Sequence, residues 1–276
     1  MRTADIPVLL YHALTEAPQL GLGPVHVPAR AFEEQMGWLA REGYHAILPA
    51  ELVESLAGRR GLEARSVLVT FDDGFRSCLR LAAPALARHG FAAALFLATD
   101  AVGRASHQEL PGFRGSALPA GDPPLGWEEV AALARAGWEI EAHGCSHVSL
   151  CDLSGETLRH EIEGSRTAIE QRLGRPVQFF AYPFGDWDRR VLAAVRAAGY
   201  SAAFGARGGR AGASVPPYRL PRIRIDPGDD LAVFARKVET GYASGRDRLR
   251  SRVRDALLAS AAGRRVVRAI AGRRGR

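Results

Sequence analysis

The chain has 276 residues, 47% hydrophobic and 24% charged, enough for one large α/β domain or two small ones and for a substantial core. No stretch approaches the ~20 apolar residues of a membrane span and the N-terminal apolar run is too short for a secretory leader, so a cytoplasmic protein is expected unless a leader was trimmed. The formal charge of +7 is uneven: eleven Arg against two Asp between Arg246 and Arg276 give +9, which leaves −2 for the body and removes basicity as an argument for nucleic-acid binding there.

Residues 6–11 read as a buried strand that delivers His12 at its end, ahead of a loop containing Gly21, Gly23 and Pro24. Strand C-termini form the ligand face of α/β folds, so His12 is either functional or a hydrogen-bonded structural residue. Phe32, Met36 and Leu39 at helical spacing predict a helix over 29–42 stopped by Gly43. A short strand over 44–48 and a helix over 51–57, opened by Pro49, follow. The stretch S-V-L-V-T-F-D-D-G at 66–74 organises the rest: its aliphatic run suits a buried strand, and Asp72, Asp73 and Gly74 end it. Two adjacent carboxylates that swing into one cleft need a cation or a shared proton; the alternative is a solvated Asp-Asp-Gly turn.

A helix over 76–89 and a buried strand over 92–97 come next. Residues 99–126 lack periodicity and are rich in Gly, Pro and Ser, which predicts a long loop, either a functional lid or disordered, with His107 as a solvated side chain. A helix over 127–136 and a strand over 138–142 lead to His143-Gly144-Cys145-Ser146-His147. Two imidazoles at i and i+4 after a strand can bring their nitrogens to one divalent ion, with Cys145 as a rival ligand or a small inert thiol. A long helix over 154–173 carries Leu158, Ile162, Ile169 and Leu173 inward and His160 outward. A strand over 178–181 runs into Tyr182-Pro183-Phe184-Gly185-Asp186, followed by a helix over 188–198, a strand over 201–204, a last strand over 220–224 and a helix over 230–240. Cys78, Cys145 and Cys151 form an odd, unpatterned set, so free thiols are expected.

This alternation predicts parallel strands flanked by helices in a closed or partly open barrel of seven or eight strands. Residues 1–245 are expected to form that domain and 246–276 a basic tail. In the tail Leu249, Val253, Leu257, Val266, Val267 and Ile270 fall in helical register, suited to an anionic membrane or glycan, or to a solvated basic helix.

Taken together, T-F-D-D-G at 70–74, H-G-C-S-H at 143–147 and A-Y-P-F-G at 181–185 resemble, in order and separation, the polysaccharide deacetylases, the NodB-homology carbohydrate esterases. The resemblance spans roughly residues 6–240. The opening P-V-L-L-Y-H at 7–12 is most similar to the branch that de-N-acetylates poly-β-1,6-N-acetylglucosamine. The resemblance implies a distorted (β/α) barrel and removal of N-acetyl groups from an amino-sugar glycan or glycolipid. Asp73, His143 and His147 would hold one divalent metal, zinc ahead of cobalt or nickel, and Asp72 would be the general base for water. The oxyanion would be held by the metal and a backbone N–H, for which Tyr182 is taken as the matching position.

The sequence departs from the usual pattern twice. Ala181 stands where most members carry an Arg that orients the base, and the last motif, whose His is the acid, is missing near Leu220. Arg222 in L-P-R-I-R is expected to reach back to Asp72, and His12 to serve as the acid, as the branch it resembles is thought to do. A monomer with no nucleic-acid partner is expected. The two departures also raise a catalytically silent glycan-binding barrel as the alternative; a phosphatase built on the paired Asp is disfavoured because no phosphate-cradling Gly-rich loop is present.

Overall fold

In the computed structural model, which describes residues 5–17, 25–116, 118 and 121–258, the strands are β1 (Val8–Tyr11), β2 (Ala13–Thr15), β3 (His26–Pro28), β4 (His45–Ile47), β5 (Ser66–Asp73), β6 (Ala94–Leu97), β7 (Glu139–Ala142), β8 (Phe179–Ala181), β9 (Ala202–Phe204) and β10 (Ile223–Arg224). The helices are α1 (Ala29–Arg41), α2 (Pro49–Leu56), α3 (Ala83–Ala87), α4 (Trp127–Arg135), α5 (Gly155–Arg159), α6 (Ser165–Leu173), α7 (Arg189–Ala197), α8 (Leu231–Thr240) and α9 (Gly245–Leu258). The predicted glycine loop after His12 and the end of the predicted tail lie outside the described residues.

All pairings in the main sheet are parallel, in the order β10-β1-β5-β6-β7-β8-β9, with β4 on the first half of β5. The curled sheet closes through an irregular segment: Phe204 at the end of β9 bridges Leu220, which leads directly into β10 beside β1. The expected distorted barrel is present, with helices packed on its outer face.

Side chains alternate along a strand, and here the alternation separates two cores. Val8, Leu68, Ala94, Phe96, Phe179, Ala181, Ala202 and Phe204 pack together in the barrel interior. Leu9, Tyr11, Val67, Val69, Phe71, Leu95, Leu97, Ile140 and Phe180 join the larger core under the helices. The register pairs Val8 with Leu68 and Leu10 with Thr70, so His12 and Asp72 continue the inward rows at the C-terminal rim.

Three local expectations change. Asp72 and Asp73 belong to β5 rather than to a turn after it; Asp73 escapes the alternation because its backbone is left-handed, φ 75°, so both carboxylates can serve one centre. The helix expected over 154–173 is interrupted by a π-helical turn at His160–Gly164, a type of bulge that re-aims one side chain. The aperiodic 99–126 stretch is ordered by short 3₁₀ turns, Thr99–Ala101, His107–Glu109 and Pro111–Phe113, and His107 in it is buried at 1% exposure, not solvated. Its imidazole stacks on Phe75 at 3.9 Å. None of the three cysteines is in a disulfide. No described helix is long and apolar enough to cross a membrane.

Candidate active site

Asp72 ends the inward row of β5, and Arg222, just before β10, meets it across the barrel mouth. The guanidinium donates from Nη1 to Oδ1 at 2.6 Å and from Nη2 to Oδ2 at 2.7 Å, a bidentate pair buried on both sides. Its Nε donates to Gly205 O at 2.8 Å and its guanidinium carbon lies 5.3 Å from the Phe96 ring centroid, so the cation is held along its edge and packed on an aromatic ring. Burial pushes the Asp72 pKa up, but Arg222, with His143 and His12 behind it, prevails and holds the carboxyl at about 2.

Asp73, His143 and His147 converge beside this pair. Asp73 Oδ1 lies 3.5 Å from His143 Nε2 and 3.3 Å from His147 Nε2, and one ligand atom from each residue falls within 4.8 Å of the others. His143 bonds Ala181 O through Nδ1 at 2.8 Å; with the proton on Nδ1, the Nε2 lone pair faces Asp73. Burial first, then the Asp72 charge, raises the Asp73 pKa well above its ordinary value. Burial lowers both imidazoles, that of His147 strongly. The buried Asp73 Oδ1 has no hydrogen-bond donor. Two imidazoles kept neutral and a donor-less carboxyl oxygen are what a divalent cation satisfies, and an N,N,O set suits zinc-like ions.

The H-G-C-S-H loop is held from below by a residue the motif does not announce. Glu161, 6% exposed on the π-helical turn, accepts the backbone N–H of Cys145 at 2.8 Å and of Ser146 at 3.0 Å, and the Ser146 hydroxyl. Cys145 Sγ, once a rival ligand, instead donates to His160 O at 3.4 Å. From above, Phe113 stacks on His147 at 4.3 Å and contacts His107 at 5.2 Å. Gly112 beside it is tight: a Cβ there would sit 1.7 Å from His147 O.

His12 is half-buried at the end of β1. Burial lowers its pKa to about 4, with the Asp72 charge opposing and Arg222 and His143 reinforcing the shift, so it senses the same centre as the other residues. Tyr182 does not face that centre. Parity places it with Phe180 in the outer core, its hydroxyl donates to Tyr218 O at 3.1 Å, and its backbone N–H, expected to meet an oxyanion, is spent on Phe204 O at 3.0 Å. The A-Y-P-F-G turn offers a different donor. Phe184 has a left-handed backbone, φ 60° and ψ 3°, its ring is half-exposed and meets His147 at 4.7 Å, and its N–H has no backbone acceptor among the described residues. Residue pattern alone could not separate Tyr182 from Phe184, because the choice depends on which N–H the β8–β9 ladder consumes.

A family model described as polysaccharide deacetylase matches residues 59–203. YxkH of Bacillus subtilis (strain 168), whose name carries the words polysaccharide deacetylase, is 26% identical over 239 residues, covering 87% of this chain and 78% of that protein. Among solved structures, the Streptococcus pyogenes deacetylase PplD in complex with acetate superposes with a TM-score of 0.73 at 22% identity, over 86% of this chain and 99% of that one. IcaB from Ammonifex degensii does so with a TM-score of 0.68 at 24% identity, over 84% and 97%. At these identities the structures bear on the fold, which is the same curled parallel barrel. The family model covers more than half of the sequence, and the chain belongs to the polysaccharide deacetylase family.

Proposed function

We propose that the protein is a metal-dependent carbohydrate de-N-acetylase, and the observation that carries this reading is the convergence of Asp73, His143 and His147 beside an Asp72 clamped by Arg222. The three residues of the first set would hold a divalent cation, zinc ahead of cobalt or nickel, which when bound would acidify water and polarise the amide carbonyl. Asp72 is proposed to accept the water proton. Its clamp keeps it ionised and aimed but makes it a weak base, so its work is concentrated where the water is already acidified. Arg222 takes the orienting role that Ala181 cannot fill. The Phe184 N–H replaces Tyr182 as the backbone donor to the developing oxyanion. His12, uncharged at neutral pH, is proposed to carry the proton to the departing amine.

The substrate is proposed to be an N-acetylated glycan or glycolipid sugar, with poly-β-1,6-linked N-acetylglucosamine favoured by the P-V-L-L-Y-H opening. Residues up to 245 would form the catalytic domain. The Arg-rich α9 exposes Leu249 and Val253, i and i+4 on one face, which supports peripheral contact with an anionic surface. The test is acetate release from β-1,4 and β-1,6 N-acetylglucosamine oligomers by metal-stripped protein with zinc, cobalt or nickel restored. Release that requires the metal upholds the reading; stoichiometric metal binding with no release from any oligomer or acetylated glycolipid would leave a binding barrel in its place.

A further inference from the structure

Several surface arginines rest singly on a carboxylate, as Arg59 does on Glu54 at 2.7 Å and Arg60 on Glu51 at 2.6 Å. In one region arginines gather on a common wall. A cavity of about 920 Å³ behind the A-Y-P-F-G turn is lined by Arg189, Arg207, Arg210, Arg219 and Arg248. Trp187 gathers two of them, with the guanidinium carbons of Arg207 and Arg219 at 4.5 and 4.6 Å from its ring centroid. Arg210 is fixed by donating from Nη1 to Glu239 O at 2.7 Å and from Nη2 to Asp5 O, and its buried Nε is left without an acceptor.

The carboxylates on the cavity wall are Asp5 and Asp188. Asp188 is engaged elsewhere, since its Oδ1 caps α7 by accepting from the Arg190 and Val191 N–H groups, each at 2.9 Å. Arg189, Arg210, Arg219 and the tail's Arg248 share this concavity with Asp5 and Asp188, and Arg207 adds a fifth guanidinium with interactions of its own, so the wall carries an excess of positive charge. An oxyanion relieves it, and planar forks that converge from several directions suit phosphate.

The cavity adjoins the catalytic turn. Gly185, next to Phe184, packs so closely on the 205–207 segment of the cavity wall that a Cβ there would lie 2.6 Å from both Ala206 N and Cβ. The backbone of that segment also holds Arg222, through Gly205 O at 2.8 Å and Arg207 O at 3.1 Å. A ligand with its sugar over Phe184 would therefore extend towards Trp187 and the arginines.

We infer that this cavity is a substrate subsite for a phosphate group borne by the acetylated sugar or its neighbour. The identity of the sugar rests on the deacetylase reading; the phosphate does not. The phosphate could belong to the glycan itself or to a lipid diphosphate carrier. Binding is measured calorimetrically on the full chain carrying Asp72→Asn, so that failed catalysis cannot mask it. The probes are N-acetylglucosamine 1-phosphate, inorganic pyrophosphate, a lipid-linked N-acetylglucosamine diphosphate in detergent, and uncharged N-acetylglucosamine. The phosphorylated probes are expected to bind more tightly than the uncharged sugar, with affinity falling as salt rises. Arg189→Glu with Arg219→Glu, two exposed cavity positions, should weaken them roughly tenfold or more per arginine. In the otherwise wild-type chain the same reversals should leave acetate release from neutral oligomers unchanged while lowering kcat/KM for the phosphorylated substrate. Preference for the lipid-linked probe over the soluble 1-phosphate assigns the phosphate to the carrier; equal binding assigns it to the glycan. Phosphate binding that survives the cavity reversals belongs elsewhere on this basic chain and overturns the inference, as does equal affinity for charged and uncharged sugar.

Discussion

Replacing Arg222 by Met tests the Asp72 clamp directly. The side chain is fully buried, so the substitution leaves both Asp72 oxygens and Gly205 O without their donors at 2.6, 2.7 and 2.8 Å. An uncompensated buried charge of this kind costs about 3–5 kcal/mol. The protein limits the loss by protonating Asp72, because burial alone raises its pKa and the arginine no longer holds it at about 2, below the ordinary 3.8. The sign of the pH dependence therefore reverses. In the wild type this carboxyl adds stability above pH 3.8 and loses it as pH falls towards 2; in the variant its pKa is raised, so stability is greatest at low pH and falls as pH rises through the new value. Urea unfolding at pH 5 and 7 measures this, and Asp72→Asn added to Arg222→Met should recover about 2 kcal/mol or more in a double-mutant cycle. Acetate release should fall roughly a hundredfold, and Arg222→Lys should restore little of it, since an ammonium cannot make the fork. A loss below about 1 kcal/mol that is flat with pH and unrelieved by Asp72→Asn would refute the clamp.

Glu161→Ala should release the H-G-C-S-H loop and weaken zinc affinity about 10- to 100-fold in a chelator competition, with Glu161→Gln retaining part of it because the amide oxygen still accepts. Gly112→Ala, whose Cβ would fall 1.7 Å from His147 O, should displace that ligand and reduce zinc affinity by a similar factor while the melting temperature changes only modestly; unaltered zinc binding would show that the 111–113 turn yields freely. His107 is held at about 4 instead of 6.5, by burial acting against the Asp73 backbone and Asp122. A lowered histidine contributes stability above pH 6.5 that is lost as pH falls towards 4. Asp73 and Glu141 are raised and titrate in the opposite sense, so the effect is read as a difference: between pH 6.5 and 4 the metal-free wild type should lose about 3 kcal/mol more than His107→Gln, and parallel curves would exclude it. Leu249→Asp with Val253→Asp should reduce co-sedimentation with anionic vesicles at low salt, and unchanged binding would remove α9 from membrane contact.

Each element that was legible in the residues is local. Aliphatic runs and helical spacing between glycine stops marked the strands and helices of the barrel. The candidate ligand set was readable as two local pieces, since Asp73 adjoins Asp72 at one strand end and His143 and His147 are four apart after another. What lay beyond reach depended on one residue of register or on distance along the chain. The left-handed Asp73 and the π-helical turn that turns Glu161 beneath Cys145 are departures from periodicity, and a periodic reading places both side chains elsewhere. His107 and Phe113 sit in a stretch with no period at all, and only its packing on Phe75 and His147 reveals their burial.

By itself, then, the sequence determined the βα order and the residues able to bind a cation, because hydrophobic periodicity and short-range spacing are properties of the chain. The tertiary structure decided which of the candidate groups face them. Arg222 and Asp72 are 150 residues apart and meet, as the L-P-R-I-R stretch led us to expect, because β10 pairs with β1 and β1 with β5. Tyr182 turns away from the centre because the ladder takes its N–H to Phe204 O, while the next N–H of the motif, that of Phe184, sits in a left-handed turn with no backbone acceptor among the described residues.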